Sequence, residues 1–150
     1  MPESFKSRLM RWKFNCFPAY RFSGARVSYI AGDLREMRIE LPLNWRTRYY
    51  VNTLFGGSMY AAVDPIYMMM LIFNLGPDYI VWDKAADIHF KKPGKGTLYA
   101  TFTLTETELS TIKAALTTQH SIDRHYTVEL TDKSGLVHAL VDKTVYIRRK

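Results

Sequence analysis

The chain has a single cysteine, Cys16, in 150 residues, so it can form no disulfide within itself. This favours a reducing compartment, and we expect a cytoplasmic protein. Basic residues interrupt the apolar residues of the N-terminal region, which therefore lacks the apolar stretch of a signal peptide. Four histidines and one cysteine show no metal-ligand spacing, and we expect no metal site.

The sequence also lacks internal repeats, low-complexity tracts and Ser/Pro-rich linkers, so we expect residues 1–150 to form one domain. Its longest apolar run, Met59 to Leu75, is interrupted by Asp64, Pro65 and Asn74. That run falls short of the roughly 20 apolar residues that span a bilayer. We therefore predict a buried helix at this place.

The net charge of +7 indicates an anionic partner, which can be nucleic acid, anionic lipid or a phosphate-bearing ligand. The charge is spread along the chain without a recognisable nucleic-acid module, so we expect no nucleic-acid binding. The segment Gly94–Thr97 lacks the full spacing of a phosphate-binding loop and precedes a strand pattern, which predicts a hairpin turn. No Gly-x-Ser-x-Gly elbow supports a serine hydrolase.

Apolar residues at positions 5, 9, 12 and 16 predict a short basic amphipathic helix over about residues 3–16. We expect it to pack on the edge of the domain. Contact with a membrane surface is the alternative, since basic amphipathic helices also lie among lipid headgroups, but we do not expect it.

Alternating apolar residues predict six strands, over residues 26–30, 34–41, 80–91, 97–105, 126–130 and 137–147. A long helix is predicted from about Gly57 to Leu75, and a short surface helix carrying Leu109, Ile112 and Leu116 should cover the core without building it. The sheet and the long helix can bury their apolar surfaces only on each other. The predicted class is α+β, with an antiparallel sheet wrapped around one central helix.

Two segments carry a resemblance to a known family, residues 52–65 (NTLFGGSMYAAVDP) and residues 88–100 (IHFKKPGKGTLYA). The first resembles the helix-opening motif of hot-dog thioesterases, and the second resembles a strand, turn and strand of the same group. The likeness is greatest to the branch catalogued as domain of unknown function 4442, similar to the phenylacetate-pathway thioesterases. It implies a hot-dog fold and an acyl-CoA thioesterase that needs no cofactor beyond the coenzyme A of its substrate.

Thioester hydrolysis needs donors for the carbonyl oxygen and a group that directs attack on the carbon. Gly56 and Gly57 suit the first task, because free amides at a helix start attract an oxyanion. Asp64 suits the second as general base or nucleophile, since a carboxylate in an apolar stretch must be paired, neutralised or facing a wet cleft. The resemblance adds Asn52, because an asparagine commonly lies a few residues upstream in such enzymes.

Gly57 and Asp64 are seven residues apart, which is about 10 Å along one helix and too far for both to reach one carbonyl. Two antiparallel central helices, related by a two-fold axis, would bring the glycine end of one to Asp64 of the other. We therefore predict an obligate homodimer, possibly arranged as a tetramer, with shared sites. Relatives with the hot-dog fold imply the same.

Five basic residues are candidates for binding the phosphates of coenzyme A: Arg46, Arg48, Lys91, Lys92 and Lys95. A methionine-rich segment, Tyr67–Leu71 with Phe73, either lines an acyl channel or fills the core.

Two further functions stay open. A non-catalytic acyl-CoA or lipid-binding protein is favoured by Phe55, which stands where these thioesterases often have histidine. A dehydratase acting on hydroxyacyl thioesters is the other, although the His and acidic pair of such enzymes is not evident.

Overall fold

A computed structural model describes residues 1–150. It contains five helices and six strands: α1 Phe5–Cys16, α2 Pro18–Arg21, β1 Arg26–Ile30, β2 Glu36–Leu41, α3 Gly56–Val63, α4 Ile66–Leu75, β3 Tyr79–Phe90, β4 Leu98–Thr103, α5 Glu106–Ala115, β5 Ser121–Thr131 and β6 Val137–Arg149. The strands form one antiparallel sheet in the order β1-β2-β4-β5-β6-β3. The sheet wraps around α3 and α4, which confirms the predicted class.

The alternation of the sequence sets which face of the sheet is buried. Along β2 the side chains of Met37, Ile39 and Leu41 are buried, and along β4 those of Leu98, Ala100 and Phe102 are buried. These residues face one another across the β2–β4 pair, with Met37 opposite Phe102 and Leu41 opposite Leu98. One continuous apolar core of 31 buried residues lies between this face and the central helices.

The predicted long helix begins at Gly56 and is interrupted at its centre. α3 ends at Val63, and α4 starts at Ile66, after Pro65. Proline has no N–H to donate, so the helical hydrogen-bond ladder loses a member here. The Tyr20 hydroxyl donates a 2.7 Å hydrogen bond to the Ala62 carbonyl beside this break. The break leaves Asp64 at the junction of the two helices.

By length and composition the Gly56–Leu75 segment would be able to cross a membrane, with a mean hydropathy of 1.3 in its most apolar window. Half of that window is buried inside the domain. Ile66, Met70 and Leu71 are fully enclosed by the core. The segment is therefore the core helix of this fold, as predicted.

Several local predictions are wrong. Residues 94–97 form no hairpin turn, because β3 pairs only with β6, while β4 pairs with β2 and β5. The strand predicted over residues 126–130 is longer and spans Ser121–Thr131. The second strand starts at Glu36 and not at Leu34, because Leu34 has a left-handed backbone with a φ of 62° in the turn before it. The side chains of Leu109, Ile112 and Leu116 belong to the main core, so α5 helps to build it. The N-terminal helix, α1, packs on the β1 edge of the sheet through the side around Ser7, and its apolar stripe faces outward.

The two edges of the sheet differ: side chains cover the β1 edge, and the β3 edge is open. At β1 the side-chain amide of Asn15 donates to the Val27 carbonyl at 2.9 Å, and its oxygen accepts from the Val27 N–H at 2.7 Å. The Glu3 carboxylate accepts from the Ile30 N–H at 3.1 Å. These bonds replace a neighbouring strand and close this edge. At the other edge, β3 pairs only with β6 and offers a 12-residue open side.

Candidate active site

The first turn of α3 presents amides without a partner in the chain. Phe55 is the N-cap residue, with an extended backbone and no side-chain cap. The first turn closes when the Met59 N–H donates to the Phe55 carbonyl at 3.1 Å. The N–H groups of Gly56, Gly57 and Ser58 precede that bond and are left free, as at any uncapped helix start. They carry the positive end of the helix dipole and can receive an oxyanion.

Neighbouring rings lie close to both glycines, so a side chain at either position would have to displace a ring. A Cβ atom on Gly56 would lie 2.9 Å from Cζ of Phe90, and one on Gly57 would lie 2.5 Å from Cε1 of Phe55. The Phe55 ring stacks on Tyr49, with 5.8 Å between ring centroids. The free amides therefore lie among half-exposed aromatic rings, so the glycines have a packing role beside the proposed chemical one.

Asp64 lies at the C-cap of α3, and its carboxylate is held by two donors. The Tyr60 hydroxyl and the Lys143 ammonium both donate to Oδ1, each at 2.8 Å. The side chain keeps 43% of its surface exposed, and Oδ2 accepts no hydrogen bond from the chain. One carboxylate oxygen is thus fixed and the other is open, which suits a general base.

Lys143 is buried, with 1% of its side chain exposed, and lies between two carboxylates. Its ammonium is 2.8 Å from Asp64 and 3.0 Å from Asp83, although the contact with Asp83 lacks hydrogen-bond geometry. Burial alone would lower the pKa of Lys143, but the two carboxylates outweigh it and raise that pKa. The lysine therefore stays a cation and orients Asp64.

The pKa values of Asp83 and Tyr60, which lie beside Lys143 and Asp64, are also shifted. Burial raises the pKa of Asp83, and the nearby Lys143 cation offsets only part of that change. Burial and the adjoining Asp64 carboxylate raise the pKa of Tyr60, so its hydroxyl remains a hydrogen-bond donor. Tyr60, Asp64, Asp83 and Lys143 form one connected polar group beside an apolar core, the pattern expected of a functional site.

Asp64 lines a cavity of about 710 Å³ between the central helices and the N-terminal helices. Most of its walls are apolar, from Met10, Phe14 and Phe17 on one side to Met68, Met69 and Phe73 on the other. Tyr67, Met70 and Leu71 are buried in the core, so the predicted acyl-channel set divides between cavity and core. A more polar cavity of about 430 Å³ around Arg124 shares no residue with this site.

The five predicted basic residues lie on two loops that run beside the start of α3. The Leu54 N–H donates to the Gly94 carbonyl at 2.8 Å and joins these loops. All five side chains belong to exposed residues, and none forms an ion pair within the chain: Arg46, Arg48, Lys91, Lys92 and Lys95. Their role in binding an anion stays a prediction.

Asn52 has a conformational role in the loop before α3. Its φ is 60°, a left-handed value that asparagine tolerates better than most residues, and its N–H donates to the Tyr49 carbonyl at 2.9 Å. The residue shapes the turn that precedes Phe55. A catalytic contribution from its side chain stays a prediction.

The sequence model of one family, described as "Domain of unknown function (DUF4442)", matches residues 7–147. The chain belongs to the DUF4442 family. Comparison with curated protein sequences found no match.

Solved structures similar to this DUF4442 chain share its fold at low sequence identity. PA5026 of Pseudomonas aeruginosa, named a "Probable Thioesterase", has 16% identity and a TM-score of 0.84, covering 100% of this chain and 99% of that one. Thioesterase HI1161 of Haemophilus influenzae has 12% identity and a TM-score of 0.72 over 98% and 93%. A variant of thioesterase PA1618 of P. aeruginosa has 10% identity and a TM-score of 0.71 over 95% and 94%. These likenesses confirm the hot-dog fold.

Sequence reasoning missed Lys143 and Asp83 in the DUF4442 chain. The signal for Lys143 was present, because it occupies the same strand face as Val141 and Val145, both fully buried. A lysine on a buried face needs an anionic partner. Asp83 stands opposite Val145 in the β3–β6 pair, on the same part of the sheet. Only the register of these two strands identifies the partner.

Proposed function

We propose that this protein hydrolyses acyl-CoA or related acyl thioesters at a site shared between two copies of the chain. The observation that carries the proposal is the Asp64 carboxylate, which is fixed by Lys143 at Oδ1, has no hydrogen bond from the chain at Oδ2, and belongs to a residue that lines an apolar cavity. The similar structures that are named thioesterases agree with this reaction class.

The open edge of β3 supports pairing with a second copy. An unpaired 12-residue strand presents a row of backbone donors and acceptors that another strand satisfies. Two β3 strands related by a two-fold axis would run antiparallel and make one continuous sheet of the two protomers. The opposite edge, closed by Asn15 and Glu3, is unsuited to such pairing.

Pairing through β3 would also bring the two halves of the proposed chemistry together. Phe90, the last residue of β3, packs against Gly56 at the start of α3. A second copy joined along β3 therefore lies beside the free amides of the first. Within one copy, Gly57 and Asp64 remain about 10 Å apart along the helix.

In the proposed reaction, Oδ2 of Asp64 takes a proton from a water molecule, and the water oxygen attacks the thioester carbon. The amides of Gly56 and Gly57 from the second copy stabilise the resulting oxyanion. The carbon–sulfur bond then breaks, and the leaving thiolate takes the proton from Asp64. The products are the free acid and the thiol of coenzyme A. Lys143 keeps the carboxylate oriented throughout.

The acyl chain of the substrate would occupy the cavity of about 710 Å³ beside Asp64, a volume within the range of ordinary ligand pockets. Its methionine side chains adapt to chains of different shape. The coenzyme A phosphates would lie against the exposed basic residues of the two loops, with Arg46 and Lys92 as representatives.

A screen of acyl-CoA esters with a free-thiol reagent tests the proposal. We expect thiol release by the wild-type protein, and a fall in kcat of at least about 100-fold for Asp64→Asn, the range for losing a general base. Light scattering should show that the variant keeps the wild-type oligomeric state. Undiminished hydrolysis by Asp64→Asn would exclude the proposed role.

A second function, non-catalytic binding of acyl-CoA or lipid, is favoured by the Phe55 ring at the free amides of α3. Such a protein would bind acyl-CoA saturably in calorimetry and release no thiol. The same screen therefore separates the two functions.

A further inference from the structure

Thioester chemistry leaves the exposed face of α1 unexplained. Phe5, Leu9, Trp12 and Cys16 are four, three and four residues apart, so they lie within about 60° of one another around the helix axis. All four are exposed, with Phe5 at 85% and Trp12 at 63%. Exposed apolar patches of this kind mark interaction surfaces. We call these four residues the α1 stripe.

The opposite side of α1 fixes the helix on the domain, so the stripe cannot turn inward. Ser7 is fully buried, and Asn15 makes two hydrogen bonds to β1. Arg11 forms an ion pair with Glu3 at 2.8 Å, and the Phe14 ring packs edge-on against Tyr20 at 4.9 Å. The α1 stripe therefore points away from the domain in the folded chain.

Basic residues border the stripe on both sides. At about 100° per residue, Lys6 and Lys13 fall on one flank and Arg8 on the other. All three are exposed, and α1 contains no acidic residue. An apolar stripe with tryptophan and phenylalanine between basic flanks is typical of helices that lie in the headgroup region of a membrane.

The apolar surface continues beyond α1. Phe17 and Phe22, on either side of α2, are exposed at 61% and 76%. Phe17 also lines the cavity of Asp64, together with Lys13 and Phe14. The exposed apolar surface of the N-terminal helices therefore reaches the cavity of Asp64 at Phe17.

A second copy of the chain is a poor partner for this face. Two α1 helices packed stripe to stripe would bring Lys6, Arg8 and Lys13 of each copy near the same residues of the other, and like charges repel. Anionic lipid headgroups would neutralise the same residues, while the apolar side chains enter the acyl boundary.

We propose that α1 is a membrane-surface anchor, which lies on an anionic lipid bilayer with Phe5, Leu9 and Trp12 inserted. Phe17 follows the anchor directly and lines the cavity of Asp64, so the anchor would hold this part of the cavity wall near the lipid surface. This inference does not rest on thioester hydrolysis, and it reverses our expectation from the sequence.

Flotation of the full-length protein with phosphatidylcholine vesicles containing about 30% phosphatidylglycerol tests the anchor. We expect binding that weakens as salt is raised. The Phe5→Ser/Trp12→Ser variant should bind at least about tenfold more weakly. Its matched control, Trp45→Ser/Tyr50→Ser, removes two exposed aromatic side chains outside α1 and should bind as the wild type.

Charge is tested in the same assay. Lys6→Glu/Arg8→Glu should weaken binding about tenfold or more, since each basic residue near an anionic surface contributes to the attraction. Lys113→Glu/Lys133→Glu changes the net charge equally at exposed positions outside α1 and should have a smaller effect.

Three results would overturn the anchor: no binding of the wild type to anionic vesicles, equal losses in the stripe variant and its control, or loss of an oligomer without any vesicle binding. The last result would make the stripe an interface between copies. The Asp64→Asn variant should bind vesicles as the wild type does. Vesicle binding by a protein that hydrolyses no thioester would refute the proposed function and leave the anchor standing.

Discussion

Lys143 Nζ lies 2.8 Å from Oδ1 of Asp64, and it reaches this carboxylate from β6, 79 positions further along the chain. The contact joins the break between α3 and α4 to the inner face of the sheet. It gives Asp64 a fixed direction that a helix terminus alone would not provide. The stability and the chemistry of the site therefore depend on the same ion pair.

Lys143→Met should destabilise the protein, because it leaves the Asp83 carboxylate partly buried without its cation. We expect the free energy of unfolding to fall by about 3 kcal/mol, the lower end of the range for breaking a buried ion pair, because both carboxylates keep some contact with water. Urea unfolding at neutral pH measures it.

Lys84→Met is the matched control for this loss. Lys84 pairs with Asp123 at 2.6 Å on the surface, with 54% of the lysine side chain exposed. That variant should lower the free energy of unfolding by less than about 1 kcal/mol, as is usual for the loss of an exposed ion pair. Equal losses in the two variants would show that Lys143 has no special structural role.

The destabilisation by Lys143→Met should depend on pH. Burial raises the pKa of Asp83 above its ordinary value of 3.8 in the folded state, so the folded chain holds this proton more tightly than the unfolded chain. Stability then falls as pH rises from the ordinary pKa through the raised one.

Removing the Lys143 cation raises the pKa of Asp83 further, so the difference from wild type should be larger at about pH 8 than at about pH 5. Unfolding curves across this range measure the difference. A constant difference would contradict the assignment of the buried charge to Asp83.

Gly56→Pro should remove one proposed oxyanion donor with little change in the helix. Proline is favoured at the first position of a helix, and the extended backbone of Phe55 suits the residue before proline. Of the three ring carbons that proline adds, the Cβ meets only the tip of the half-exposed Phe90 ring. We expect kcat to fall about 100-fold or more, as for loss of an oxyanion donor.

Gly56→Ala is the control for Gly56→Pro, because it adds the same Cβ atom and keeps the N–H. Its kcat should fall far less than that of the proline variant. Similar losses in both would assign the effect to the Phe90 ring and not to the amide.

The alternation of apolar residues in the sequence is sufficient to predict most of the fold. Local alternation predicts which residues of β2 and β4 are buried, and the structure confirms it. The outward face of α1 was not predictable from periodicity, which identifies an apolar stripe and cannot say what covers it. Lys143 and Asp83 are distant in sequence, so their contact depends on the β3–β6 register, which only the folded sheet fixes.

The open β3 edge gives a prediction about assembly. Ala85 and Ala86 are exposed near the middle of β3, where two-fold pairing places each strand against its own copy. Ala85→Asp/Ala86→Asp should weaken the dimer by like-charge repulsion. Sedimentation should show a larger dissociation constant, and activity should return at higher protein concentration. A variant with unchanged assembly would place the interface elsewhere.

Mixing two inactive variants tests the shared site most directly. Asp64→Asn and Gly56→Pro proteins, unfolded together and refolded, should form mixed dimers that each contain one intact site. We expect recovery of about a quarter of wild-type activity, since half of the dimers are mixed and each has one of two sites. If Asp64 and Gly56 act within one protomer, the mixture will show no activity beyond that of the separate variants.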